Sequence, residues 1–352
     1  MNKKNILIVT LLAVLVLGFI VFKSGLFTSE KDLKFSDIIL APDKNLILKY
    51  GQNFDLTLNE DKLKFSDSII VVLNKTTRID VSSSYILTLP TENLLLGPHF
   101  VDVTVWKKGS SKSISLPFKI VSDVMPTPSM FSIVRKIPHD AKSYTQGLEF
   151  HNGVLYESGG QYGESMIRKV NPTTGAVIKS IEVPKEFFAE GLTILNNKVY
   201  QLTWQEGIMM IYDEELNLIS KPGFKSATGE GWGMCNDGKS LIISDGSNKL
   251  TWVNPETLVP EKTLHVYAGQ KEVIYLNELE YVEGYIYANI YTTNQIAKIE
   301  ASSGRVIHVY EFESLKKENT DGEVFNGIAY LPSSGTFIVT GKNWKNMYEV
   351  RM

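Results

Sequence analysis

The sequence predicts an all-β protein, a five-bladed β-propeller preceded by a small Ig-like β-sandwich and an N-terminal membrane segment. Three observations carry this prediction. An uncharged apolar run fills residues 6–22, short alternating segments fill roughly 33–121, and a four-strand unit recurs at spacings of 42 to 49 residues through 131–352. Of the 352 residues 43% are hydrophobic, so the chain can bury a large core in two or three domains. Its formal net charge is −3 and its Lys and Arg residues form no stripe, which gives no electrostatic case for a nucleic acid partner. That balance, without an obvious apolar patch, favours a monomer. The single cysteine, Cys235, rules out an intramolecular disulfide and a cysteine-based zinc site.

The elements follow in chain order. "MNKK" places two lysines ahead of "ILIVTLLAVLVLGFIVF", a run at the short end of a membrane span. Residues 1–23 read as an uncleaved signal anchor or as a signal peptide; no A-x-A site and no lipid-accepting cysteine follows. Lysines before the span favour an inside N-terminus, so the rest of the chain is expected outside the cytoplasm, anchored through 6–22 or secreted. In "HFVDVTVW", Val101, Val103 and Val105 alternate with Asp102 and Thr104. After the turn "KKGSSK" the alternation resumes through Ile114, Leu116, Phe118 and Ile120, which is a hairpin pattern. With the strands upstream it completes the predicted sandwich at 33–121, in which no catalytic set is visible. The stretch "SDVMPTPSM" at 122–130 has two prolines and no period, and reads as a linker.

The propeller prediction rests on "TQGLEFHNGVLYESGG", "AEGLTILNNKVYQLTW", "GWGMCNDGKSLIISDG", "LNELEYVEGYIYANIY" and "FNGIAYLPSSGTFIVT". Each has a short apolar strand, a turn rich in Asn, Asp or Gly, and a second strand. Second hairpins such as "IRKVNPTTGAVIKSIEV" lie between them, giving four strands per unit. Gln146, Glu190, Trp232, Asn277 and Asn326 open the five motifs. Rotation about a propeller axis would bring all five to one mouth, as the convergent polar groups and aromatics of a pocket.

Tyr144, Phe188, Trp204, Tyr291 and Trp344 reach the same end of the channel and, with Trp232, would form an apolar cup around Glu190. Burial there would raise the carboxyl pKa toward neutrality and suit it to proton transfer. One carboxylate among neutral amides is a poor donor set for a catalytic metal, and nothing in the ring calls for a cofactor. No G-x-S-x-G or H-E-x-x-H motif occurs, and the five histidines stand off the ring. Three readings stay open on these residues: an acid–base enzyme, a propeller enzyme of another kind such as a lyase, and a non-catalytic propeller binding a peptide or glycan. The lone acid at a ring position favours the first.

"YTQGLEF", "FAEGLT", "GWGM", "NELEYVEGYIYANIY" and "NGIAY…VTGKNW" together resemble the plant and bacterial type of glutaminyl-peptide cyclotransferase over about residues 131–352. The resemblance implies a five-bladed propeller that converts the N-terminal glutamine of a peptide or protein into pyroglutamate, with loss of ammonia and without a catalytic metal. It implies that Glu190 moves the proton, and that Gln146, Asn277 and Lys342 are polar pocket residues. It also implies that Trp204, Trp232, Phe188 and Tyr144 are aromatic walls, with Lys342 or Asn277 stabilising the oxyanion. Tyr291 departs from the pattern, in which that position is usually tryptophan.

Overall fold

The computed structural model describes residues 34–81 and 84–352. The apolar run at 6–22 lies outside the described residues, and among those described no helix is long and apolar enough to cross a membrane. Strand dominates, with short helices at Phe35–Ile38, Glu60–Leu63 and Glu313–Glu318.

Before residue 122 two sheets form. One orders Ile39–Ala41, Phe54–Leu58 and Ile86–Leu89; the other orders Leu46–Lys49, Ser110–Val121, Gly97–Lys107, Ser68–Leu73 and Thr77–Ile79. Gly97–Lys107 and Ser110–Val121 are the hairpin expected from the alternation. Val101, Val103 and Val105 point into a core shared with Leu56, Val71 and Ile120. A period of two puts one face of each strand inside and the other in water.

Five four-stranded antiparallel units follow, numbered here as sheets 1 to 5. Sheet 1 comprises Thr145–His151, Val154–Gly159, Met166–Val170 and Val177–Glu182; sheet 2 comprises Ala189–Leu195, Lys198–Thr203, Met209–Asp213 and Leu218–Ser220. Sheet 3 comprises Met234–Asn236, Leu241–Ser244, Lys249–Val253 and Pro260–His265; sheet 4 comprises Leu276–Val282, Tyr285–Ile290, Gln295–Glu300 and Val306–Glu311. Sheet 5 takes Phe325–Leu331, Thr336–Gly341 and Asn346–Arg351 from the end of the chain and Ser132–Pro138 from the start of the region. The hairpins turn where the sequence places left-handed residues: Asn152 and Gly153 join the first pair of strands with φ of 50° and 82°.

The first strands of sheets 1 to 5 neighbour one another in sequence order, and that of sheet 5 returns to sheet 1. In this closed, propeller-like ring the first strand of each sheet is a short edge, protected by the neighbouring sheets. Between the five motifs the sequence shows only four second hairpins; the fifth is built from the two ends of the region, paired from Ser132↔Arg351 to Pro138↔Asn346.

The linker expected at 122–130 is not a free connection. Thr127–Ser129 runs parallel to Val306–Glu311 on the outer edge of sheet 4, and the N–H of Gly269 bonds to Val124 O at 2.9 Å. An edge strand tolerates Pro128, which has no N–H to donate. The N-terminal sheets and the stretch after them also touch the ring. Tyr267 packs in the core of the sheets before residue 122, Lys119 of the five-stranded sheet pairs with Glu272 at 3.0 Å, and Asp123 pairs with Arg305 at 3.1 Å.

Candidate active site

Strand pairing is interrupted at the ring positions themselves. Register shifts fall between Thr145 and Gly147, Ala189 and Leu192, Leu276 and Leu279, and Phe325 and Ile328. Gln146, Glu190, Asn277 and Asn326 sit inside these four irregularities, and a bulge turns such a side chain out of the regular alternation. Trp232 precedes the paired part of its strand, with its carbonyl accepting the N–H of Gly191 at 2.7 Å. Adjacent first strands approach very closely just beyond the ring. A Cβ on Gly191 would lie 2.5 Å from Met234 N, and one on Gly233 would lie 1.8 Å from Asn277 O.

Three ring residues form a hydrogen-bonded chain across three sheets. Asn326 Nδ2 donates to Gln146 Oε1 at 3.4 Å and to Thr145 O at 3.1 Å, and Gln146 Nε2 donates to Glu190 Oε1 at 2.9 Å. The carbonyl oxygens Asn277 Oδ1 and Asn326 Oδ1 are buried and accept no hydrogen bond. An unmet buried acceptor is costly in a core and useful in a pocket, where a donor can arrive with a ligand.

Aromatic rings enclose this polar floor. Phe188 meets Tyr144 edge-on at 6.2 Å and tilts against Trp204 at 5.6 Å, while Trp232 meets Tyr291 edge-on at 5.4 Å. Lys342 Nζ lies 4.6 Å from the Tyr144 ring centre and 5.1 Å from that of Tyr291, so two aromatic faces hold the ammonium. Lys342 is buried, which lowers its pKa, while Glu190 and Glu323 oppose that shift. Burial holds the Glu190 carboxyl well above the ordinary carboxylate range; Lys342 opposes this, and Glu230 and Glu206 add to it. Burial thus raises the carboxyl and lowers the amine, each away from its ordinary value.

Gln146, Glu190, Asn277, Asn326, Lys342, Tyr144, Phe188, Trp204, Trp232 and Tyr291 thus converge at one end of the ring. Trp344 does not. It is fully buried between sheet strands, against Phe325 and Tyr348, with its Nε1 donating to Glu323 O at 3.1 Å. Gly341 and Gly322 leave the space its indole fills, so a residue two beyond Lys342 turns inward as core.

The structure adds residues that the sequence reading passed over. Tyr275 stands two residues before Asn277, as Tyr144 and Phe188 stand before Gln146 and Glu190; Glu230 has that offset before Trp232. Glu230 accepts Trp232 Nε1 and Gln205 Nε2, each at 2.9 Å, and so fixes the indole. Tyr162 packs edge-on against Phe188 at 5.4 Å and donates to Glu206 at 2.7 Å. Glu278 takes the place that glycine holds after the other four ring residues. Its carboxyl accepts the N–H groups of Leu148 at 3.0 Å and Ile328 at 2.7 Å, tying sheet 4 to sheets 1 and 5.

A closed, propeller-like ring of sheets with a buried carboxyl beside an aromatic cup at one end defines the class of fold and the place of the candidate site. Comparison with known proteins specifies the class. The glutamine cyclotransferase family model matches residues 111–352. The chain is 34% identical over 260 residues to a glutaminyl-peptide cyclotransferase of Arabidopsis thaliana, covering 72% of this chain and 78% of that protein. It is similar in structure to the glutaminyl cyclase of Myxococcus xanthus, with a TM-score of 0.60 and 31% identity over 64% of this chain and 97% of that one. The chain belongs to the glutamine cyclotransferase family and is an enzyme of that class.

Proposed function

We propose that this enzyme cyclises the N-terminal glutamine of peptides or proteins to pyroglutamate, with Glu190 as the group that moves the proton. The observation that carries this reading is the setting of Glu190: the one acid of the ring, buried, oriented by Gln146 and facing an aromatic cup that also holds Lys342. In the reaction the α-nitrogen forms a bond to the side-chain Cδ, and the bond from Cδ to the amide nitrogen breaks. Glu190 takes the proton that the attacking amine loses and returns it to the departing nitrogen, which leaves as ammonia. Little activation of the nucleophile is needed, because an α-amine titrates near pH ~8. The harder requirement is to fold the glutamine side chain back on its own amine, which a close-fitting cup supplies by orientation.

The donors and acceptors divide accordingly. Lys342 is a cation placed where charge on the carbonyl oxygen would develop, and Asn277 Oδ1 and Asn326 Oδ1 are open acceptors for the N–H groups of the amine and carboxamide. We assign the oxyanion to Lys342 on this basis. The same reading takes residues 131–352 as a five-bladed propeller led by an immunoglobulin-like module at 33–121. It takes 6–22 as the segment that directs the chain to the membrane and outside the cytoplasm. Purified protein is expected to release ammonia from an N-terminal glutaminyl peptide and not from the asparaginyl analogue, whose ring would be one atom smaller. Ammonia at background level from both peptides would refute the assignment.

A further inference from the structure

Tyr291 walls the cup on one side and also lines an open groove of about 330 Å³. Among its other apolar walls are Val273, Ile274 and Tyr275, from the segment entering sheet 4, and Ile290, Ala297, Val306 and Val309 within it. The fivefold repeat gives Tyr275 a meaning. In sheets 1, 2 and 4 the residue two before the ring position accepts, through its carbonyl, the N–H at the end of the second strand. These bonds are Gly160 N to Tyr144 O at 2.8 Å, Trp204 N to Phe188 O at 2.9 Å, and Tyr291 N to Tyr275 O at 2.9 Å. Tyr275 is therefore the sheet 4 counterpart of two cup aromatics.

It differs from them in being turned outward. Tyr275 has φ of 64°, a left-handed backbone disfavoured for a bulky side chain, and is held there by a bond from its N–H to Gly246 O at 2.9 Å. It is 49% exposed and Ile274 beside it is 45% exposed, so two large apolar residues face water at the lip of the cup. Strained backbone of this kind concentrates where a ligand is gripped. The outer wall is held from outside the ring. Ala268 and Glu272 line the groove from a small hairpin whose Tyr267 is buried in the sandwich core. Tyr267 Oη and Lys119 Nζ both donate to Glu272 Oε1 at 3.0 Å.

We propose that this groove is a specificity subsite for an apolar side chain in the first residues after the N-terminal glutamine, with its outer wall fixed by the sandwich. The inference rests on the cyclotransferase reading above. The glutamine occupies the cup, so the rest of the peptide must leave across its lip, and Tyr291 is the wall shared by cup and groove.

The test measures kcat/KM of the full chain for Gln-Ala-Ala-Ala, Gln-Leu-Ala-Ala and Gln-Ala-Leu-Ala. One of the leucine peptides should exceed the alanine peptide by about tenfold or more, the discrimination an apolar pocket gives a side chain several carbons larger. The leucine-to-alanine ratio should fall toward unity in Ile274→Asp, an exposed change, and in Tyr275→Asn, a residue that tolerates the left-handed backbone. Equal values for the three peptides in the wild type would overturn the subsite and leave the cyclotransferase reading standing. A leucine preference kept in both variants would overturn it as well. No turnover of any peptide would remove the reading, and the subsite with it.

Discussion

Glu157 and Glu190 lie in adjacent sheets and are equally removed from water, at 0% and 5% exposure, yet burial leaves them in opposite states. Burial works against ionisation in both. Around Glu157 it is overturned: His139 Nε2, Ser143 Oγ and Thr145 Oγ1 donate to one oxygen at 3.0, 2.5 and 2.7 Å, and Arg168 Nε to the other at 2.8 Å. His139 and Arg168 hold this carboxyl well below the usual carboxylate range. Arg168 continues to Asp140 at 2.9 Å, so the cluster pins the segment from which Tyr144 projects. Glu190 receives one side-chain donor, from Gln146, and its carboxyl stays well above that range. The number of donors and the neighbouring charges, rather than burial, separate a carboxyl held ionised from one held toward its protonated form.

Exchanging each carboxyl for an amide tests that separation. Glu190→Gln should lower kcat by at least about 10²-fold, the scale of lost general acid–base transfer. Its thermal stability should be equal to or above wild type. A carboxyl with a raised folded pKa resists ionisation in the folded state, so at pH values above its unfolded value near 4.5 it subtracts from stability. A large fall in melting temperature would show that Glu190 is structural. Glu157→Gln should behave in the reverse manner. Removing its charge leaves the buried Arg168 with only the solvent-facing Asp140 as counter-ion, at an expected cost of roughly 3–5 kcal/mol by chemical denaturation. The folded pKa of Glu157 is depressed, so its contribution is full above the unfolded value near 4.5 and is lost as pH falls toward the folded one. The variant should therefore lose part of the wild-type decline in stability below that pH, and an unchanged decline would assign it to other carboxyls.

The two glutamates also differ in how far the sequence discloses them. Glu190 is legible because it occupies one phase of a repeat whose other members are Gln146, Trp232, Asn277 and Asn326. The same repeat carries Tyr275 at a fixed offset of two, which becomes meaningful only once the bond from Tyr291 N–H to Tyr275 O shows that offset facing the end of the second strand. Lys342 came with the family resemblance; its equivalence to Trp204 and Tyr291 rests on the bond from its N–H to Val324 O at 2.9 Å, two residues before Asn326, not on residue type. The Glu157 cluster is not legible at all. His139, Ser143, Thr145 and Arg168 share no spacing, and strand pairing and the closure of sheet 5 bring them together. Trp344 failed for a related reason: proximity to Lys342 along the chain does not determine which way an indole turns when glycines open a space behind it.

The smallest expected effect concerns the charges beyond the cup. Glu206 accepts the Tyr162 hydroxyl on Oε1, while its buried Oε2 has no partner. Its negative charge raises the proton affinity of Glu190, in the same direction as burial. As a base Glu190 must be ionised, so kcat/KM falls on the acid side as pH drops through its pKa. Glu206→Gln removes a like charge, which favours the ionised form and should move that acid limb to lower pH. Salt should weaken the displacement, since part of the Glu206 side chain faces solvent. A limb that stays in place would mean that burial and Lys342 alone set the proton affinity of Glu190. A limb that moves to higher pH would mean that the residue titrating there is not a carboxyl repelled by Glu206, and would separate the pH dependence of turnover from Glu190.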